Sequence, residues 1–269
     1  ARYLQIFKGD EIEFPEDGYQ GEDIKDLAKE YADLNGDSLV NVSAEERKKA
    51  LVDYALPKNI KKMQADMEKY KIFYDKWFFE SELHKSGAVK AVVDLLTKKG
   101  LTYEKDGAVW YKNKEVLTQK LLKEGKSQKY IDNLELKDDV LIRQNGNPTY
   151  FTADIAYHKN KFDRGFTTLI DVWGADHHGH VMRMKGAMDA IGYDGDKLNV
   201  VLMQLVKLVK DGELVKMSKR TGKAIQLGDL LDEVPVDSAR FLFNTKEANT
   251  QMDFDLDLAV SQDNQNPVY

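Results

Sequence analysis

Apolar residues in the first third of the chain recur at steps of three and four. In EDIKDLAKEYADL, Ile24, Leu27, Ala28, Tyr31 and Leu34 fall on one helical stripe that faces a core. Ser43 and Glu46 have the spacing of a capping box at the start of the next helix, which Pro57 is expected to close or kink. A further helix is predicted through KKMQADMEKYKIFYDKWFFESEL, and another through VKAVVDLLTKK, stopped by Gly100. The rhythm then changes: LTYEKDGAVWYKN places two short aromatic and β-branched runs around Asp106-Gly107, the signature of a tight hairpin. Residues 10–125 are therefore predicted to form a helical unit with one hairpin.

From Val140 strands alternate with helices. VLIR is a short apolar strand, Asn145 to Pro148 a turn, and Thr152 the expected N-cap of a helix through ADIAYHKNKF. TTLIDVWG is an apolar run ending in glycine, followed by a helix through VMRMKGAMDAIGY. NVVLMQLVKLV predicts a further strand, and GDLLDEV and DSARFLFN two more helical pieces. Strands separated by helices imply an α/β fold with a parallel sheet and right-handed crossovers. Such a sheet binds ligands at the carboxyl ends of its strands.

At 269 residues the chain can bury about two ordinary cores. Its net charge of −6 and sequence pI near 5.5 argue against wholesale coating of nucleic acid, so any polyanion must meet a local basic patch. With no cysteine there is no disulfide framework, thiolate metal site or thiol nucleophile, which suits a reducing cytoplasm. No apolar run is long enough for a membrane span, for which about 18 residues are needed.

Three stretches carry candidate chemistry. Between Lys207 and Lys223, six basic residues stand against two acidic ones, a local charge of plus four around Lys216-Met217-Ser218-Lys219-Arg220. Ammonium groups beside Ser218 and Gly222 suit the charge that develops on a leaving pyrophosphate, although a lone lysine cluster is ordinarily a solvated turn. LIDVWGADHHGH delivers Gly174 at a strand end and then Asp176, His177, His178 and His180. These could be metal ligands; the plainer reading is a helix start capped by Asp176, with the histidines lining a polar cleft. In NPTYFTADIAYH, Tyr150 and Asp154 stand four apart across a helix start, with Asp154 expected in the first turn, where the dipole keeps it ionised. Such a carboxylate suits a planar guanidinium, or it merely neutralises the helix end.

The order and spacing of VLIRQNGNPTYFTADIAYH, WGADHHGHVMRM and KMSKR resemble the second half of the catalytic domain of bacterial arginyl-tRNA synthetases, over residues 140–260. The resemblance implies part of a class I Rossmann-like parallel sheet with a mainly helical insertion. It implies that Tyr150 and Asp154 hold the substrate guanidinium and that His177, where many members have glutamine, contacts the amino acid. It further implies that Lys216 and Lys219 stabilise the transition state, and that His180, Met203, Gln204, Met217 and Ser218 serve ATP. The substrates would be arginine, ATP with Mg2+, and tRNA(Arg), in a cytoplasmic protein expected to be monomeric.

On the same resemblance, residues 1–9 end the first catalytic half, 10–125 form the insertion, 126–235 the second half, and 236–269 a stem leading to an anticodon-binding domain. On this resemblance the first class I signature, His-x-Gly-His, would precede residue 1, so the chain is expected to be an internal fragment, inactive or weakly active alone. Two rival readings remain. One is a metal-dependent phosphoesterase built on Asp176, His177 and His178, which needs further Asp-x-Asp pairs on strand ends, whereas those at Asp253–Asp257 lie in no expected strand. The other is a non-catalytic nucleotide- or tRNA-binding module.

Overall fold

The computed structural model describes residues 1–16, 18–215 and 225–269. The chain opens with three helices, α1 (Arg2–Lys8), α2 (Glu22–Asn35) and α3 (Ala44–Lys69). Next come α4 (Glu80–Lys85), α5 (Ala88–Lys98), strands β1 (Thr102–Lys105) and β2 (Ala108–Tyr111), helices α6 (Asn113–Lys123) and α7 (Gln128–Asn133), and β3 (Asp139–Ile142). Strand and helix then alternate through α8 (Tyr150–Asp163), β4 (Leu169–Gly174), α9 (His178–Ile191) and β5 (Leu198–Met203). The remainder is β6 (Val206–Lys210), β7 (Glu213–Leu214), α10 (Leu227–Glu233), α11 (Val236–Phe243), β8 (Met252–Asp255) and α12 (Leu256–Val260).

These elements group into two compact units, each discontinuous in sequence. The first comprises Ala1–Asp75, Val206–Glu247 and Met252–Tyr269, and the second Lys76–Leu205 with Ala248–Gln251.

In the first unit, α2 buries Ala28 and Ala32 around Tyr3, whose hydroxyl donates to the Gly36 carbonyl at 2.7 Å and accepts from the Leu39 amide at 3.1 Å. Leu34, expected on the stripe, is exposed because the helix ends one residue later. The capping box at Ser43 and Glu46 forms as the spacing requires. Helix α3, however, runs unbroken through the exposed Pro57 to Lys69, fusing two predicted helices. The predicted continuation beyond Lys69 does not form: Lys71 turns to a φ of 62°, and residues 73 and 74 carry no helix. A second core in this unit gathers Leu208, Leu230, Val234, Ala239, Leu242 and Phe254. Strand β6 pairs parallel with β8 and antiparallel with β7. The Asp253–Asp255 pair therefore lies in a strand after all, with Phe254 at its buried position.

The second unit contains the hairpin. Asp106 and Gly107 both adopt positive φ, 53° and 72°, the backbone that a two-residue turn demands. Strand β3 joins this hairpin antiparallel to β2 instead of starting the parallel sheet, as the alternation of elements suggested. The parallel pair is β4 with β5, in register from Leu169 opposite Leu198 to Gly174 opposite Met203. The predicted strand Asn199–Val209 breaks after Met203. Pairing with β4 ends there, and the Gln204 amide donates to the Ala248 carbonyl at 2.9 Å. Helices α5, α8 and α9 cover one face of the pair, packing Val92, Leu96, Ile155, Met184 and Met188 against Leu169 and Leu198.

Helix α8 begins at Tyr150, with Thr149 as its N-cap residue. Thr152, the expected cap, lies inside the first turn, fully buried, and donates to the Leu141 carbonyl at 2.8 Å. The cap moved because Asn147-Pro148 brings the chain against β3, where Thr149 donates to the Val140 carbonyl at 2.7 Å.

Leu96→Ala should empty a fully buried position and cost about 2–5 kcal/mol in denaturant unfolding. Leu34→Ala, on the exposed end of α2, should stay within about 0.5 kcal/mol of the parent.

Candidate substrate-binding site at the ends of the parallel strands

Strand β4 delivers Gly174 at its carboxyl end. A single tight turn over Ala175–His177 then leads into α9. Burial alternates along the strand: Leu169 is buried, the Asp171 side chain is nearly so and Trp173 packs on the core, while Ile170 and Val172 are 69% and 62% exposed on the other face. Every second side chain of a strand shares a face, so Leu169, Asp171 and Trp173 point toward α8 and its neighbours.

Two of the predicted site residues come together at this end. The Asp154 carboxylate lies 3.3 Å from His180 Nε2. The two do not line up as a hydrogen bond, and the buried Nε2 atom has no hydrogen-bond partner. The imidazole sits in an aromatic seat, its centroid 5.3 Å from Trp173 and 5.5 Å from Phe151. The Asp154 side chain keeps 45% of its surface open to solvent, whereas His180 keeps 17%. The carboxylate is thus the accessible member of the pair.

Tyr150 stands one turn before Asp154 on α8 and is 80% exposed. His177 is exposed as well, 3.8 Å from the Asp176 carboxylate. Met203 ends β5 directly opposite Gly174 and is partly exposed, and Gln204 follows it. Lys216, Met217, Ser218 and Lys219 fall outside the described residues.

Two details differ from expectation. Because α8 starts at Tyr150, Asp154 belongs to its second turn and there is no acidic residue in the first. Asp176 makes no side-chain cap to α9; it lies within the tight turn, and His177 occupies the N-cap position. Among the described residues, no three histidine, aspartate or glutamate side chains converge as a metal site would require. The Asp-His-His run points outward.

Sequence reasoning missed the polar layer beneath the site. His158 is buried, with Nδ1 2.7 Å from the Asp154 carbonyl and Nε2 2.5 Å from Asp171 Oδ2. Lys161 donates to Asp171 Oδ1 at 2.7 Å. Burial pushes the Asp171 carboxyl up, but hydrogen bonds from His158 and Lys161, with their positive charge, outweigh it and hold the group below the ordinary carboxylate range. Asp139 goes the other way: burial raises it despite a bidentate pair with Arg183, whose guanidinium lies 4.8 Å over the Phe151 ring. The available signal was an aspartate in the inward phase of an apolar strand, which must find partners or pay heavily for burial.

The fold and this site define the class. A family model described as tRNA synthetases class I (R), catalytic domain, matches residues 20–263. Arginine–tRNA ligases from Ruminiclostridium cellulolyticum and Caldanaerobacter subterraneus are 53% and 54% identical over the whole of this chain. The chain spans 45% of the length of these curated relatives. A crystal structure from Campylobacter jejuni, provisionally named an arginyl-tRNA synthetase, superposes with a TM-score of 0.81 at 34% identity, covering all of this chain and 56% of that one. The Thermus thermophilus arginyl-tRNA synthetase shares the fold, with a TM-score of 0.65 at 16% identity, over 99% of this chain and 52% of that one. The chain belongs to the arginyl-tRNA synthetase family of class I.

The Asp171 cluster has a pH signature. Its folded-state pKa is depressed, so its contribution to stability is present above the unfolded carboxylate value, about 4, and is lost as pH falls through the lower folded value. Asp171→Asn should therefore be less stable than the parent at pH 7, and the gap should close as pH drops below about 4. Unfolding midpoints across that range check this; a gap that is constant with pH would contradict it.

Proposed function

We propose that this chain supplies the arginine-binding part of an arginine–tRNA ligase. The carrying observation is the half-open Asp154 carboxylate at the carboxyl end of β4, seated beside His180 on an aromatic floor. A fixed carboxylate with free lone pairs can accept two parallel hydrogen bonds from a guanidinium, and a lysine ammonium cannot reproduce that planar fork. Tyr150, one turn earlier and exposed, is free to close over the same ligand, and His177 lies on the segment that follows β4. Family membership and relatives named arginine–tRNA ligase support the same reading.

In the proposed reaction the arginine carboxylate attacks the α-phosphorus of ATP and pyrophosphate leaves, giving arginyl-adenylate. A terminal ribose hydroxyl of tRNA(Arg) then attacks the activated carbonyl, and AMP departs. Neither step needs a covalent protein intermediate, so catalysis rests on positioning and on charge stabilisation. Lys216 and Lys219 take the second role toward the phosphates, with Ser218 and Met217 on the same run and Mg2+ accompanying ATP. His180, Met203 and Gln204 line the nucleotide side in this reading. In this reading residues 10–125 form an insertion, 126–235 the second catalytic half and 236–269 a stem, in a monomeric cytoplasmic protein. No helix among the described residues is long and apolar enough to cross a membrane.

The test is ATP–pyrophosphate exchange by the complete protein as a function of arginine. Asp154→Asn should raise the arginine KM by about 10- to 100-fold, the worth of a charge-assisted hydrogen bond of about 1.5–3 kcal/mol. The KM for ATP should move little. An unchanged arginine KM would remove Asp154 from the pocket.

A further inference from the structure

We infer that His158 is a positioning residue that sets Asp154 for the substrate guanidinium from below the pocket; this rests on the reading of Asp154 given above. The geometry is a closed circuit within one unit. His158 stands one turn after Asp154 on α8 and is buried. A carbonyl oxygen can only accept, so Nδ1, 2.7 Å from the Asp154 carbonyl, must donate. Asp171 is held ionised, so Nε2, 2.5 Å from Oδ2, must donate as well. The ring therefore carries both protons, with Asp171 as its counterion and Lys161 on the carboxylate's other oxygen at 2.7 Å.

From His158 the circuit returns to Asp154 by way of aromatic contacts. The His158 ring meets Trp173 edge to face at 6.2 Å and 89°. Trp173 packs against His180 at 5.3 Å, and His180 lies 3.3 Å from the Asp154 carboxylate. Asp154 is thus flanked at both ends by imidazoles: His158 bonds its carbonyl, and His180 lies beside its carboxylate without a hydrogen bond, with Trp173 in contact with both rings. Because Asp171 belongs to β4, the His158 bonds tie the backbone of Asp154 to the strand whose end forms the site.

A buried ionic cluster is a poor source of net stability, since well-packed apolar side chains of similar volume often do as well or better. What it supplies is a fixed register between α8 and β4: donors and acceptors at set distances do not tolerate the slip that apolar packing would. A guanidinium held by two parallel hydrogen bonds is sensitive to such a slip, because displacement by about 1 Å can cost up to 100-fold.

The two bonds can be separated in the complete protein. In His158→Asn the amide takes the place of Nδ1 and keeps the bond to the Asp154 carbonyl. In His158→Gln it takes the place of Nε2 and keeps the bond to Asp171. Each variant should raise the arginine KM in pyrophosphate exchange by about 10-fold, with the ATP KM and the kcat at saturating arginine within about threefold of the parent. His158→Phe, which fills the space but donates nothing, should raise it further. A fall in melting temperature with the arginine KM unchanged would reduce His158 to a packing role and overturn the proposal, as would equal losses in every kinetic parameter.

If the variants fail to fold, nitrogen-15 spectra of the unsubstituted protein still decide. Two ring N–H signals from His158 are expected near neutral pH, both shifted by added arginine; a single ring proton, or no response to arginine, would overturn the inference. Asp154→Asn run in parallel separates the two levels. If it leaves the arginine KM unchanged, the pocket itself is misread. If it raises that KM and the His158 variants do not, only the role given to His158 falls.

Discussion

A carboxylate placed in the inward phase of an apolar strand must be compensated, and the candidate site is organised around the way Asp171 meets that demand. Left alone under a helix, the group would pick up a proton or drive the helix away. Instead α8 presents His158 and Lys161 one turn apart, each reaching one carboxylate oxygen. Satisfying Asp171 in this way fixes the rotation of α8 about its own axis. Once that rotation is set, Asp154, one turn nearer the helix start, can only emerge beside the carboxyl end of β4. The site is therefore downstream of a buried electrostatic requirement and not of the exposed residues that line it.

Features fixed by local spacing were legible in the sequence, and features fixed by distant partners were not. The α2 stripe, the Ser43 box, the Asp106-Gly107 hairpin and the strand at Leu169–Gly174 rest on local spacing, and each formed because local spacing was enough. Pro57 did not close its helix because a proline on the exposed side of a long helix costs one hydrogen bond without needing to stop the chain. The break after Met203 was illegible, since the apolar run continues without interruption. What ends β5 is the loss of its partner at Gly174 and a bond from Gln204 to distant Ala248. Likewise β3 went to the hairpin through pairing with β2, a choice that no periodicity encodes.

For the site, motif order singled out Asp154 and His180 as separate candidates, for arginine and ATP, but neither their approach to one another nor the polar layer beneath was legible. His158 and Lys161 resemble any helix-borne polar residues until Asp171 is seen to face them. The face of the β4–β5 pair opposite the helices carries exposed Ile170, Val172, Val201 and Met203. Parallel strands ordinarily have both faces covered, so within this unit the register of the pair depends wholly on the helical side. That gives the Asp171 contacts more weight than they would have in a sheet packed on two sides.

The charges are distributed to match the proposed substrates. Arginine brings a delocalised cation and ATP brings concentrated negative charge, so no single patch can bind both well. In this sequence a carboxylate follows the turn at Pro148, while a surplus of lysines falls at residues 207–223 of a chain with net charge −6. An acidic chain with a local basic run discourages non-specific binding of polyanions yet can still present cations to a single triphosphate. The acidic side needs only one group, provided that group is held still. A guanidinium gains little over an ammonium from a mobile carboxylate, because its advantage lies in two bonds made at once. If Asp154 holds the guanidinium as proposed, its rigidity would be the physical origin of discrimination between arginine and lysine, and the His158–Asp171–Lys161 layer would supply it.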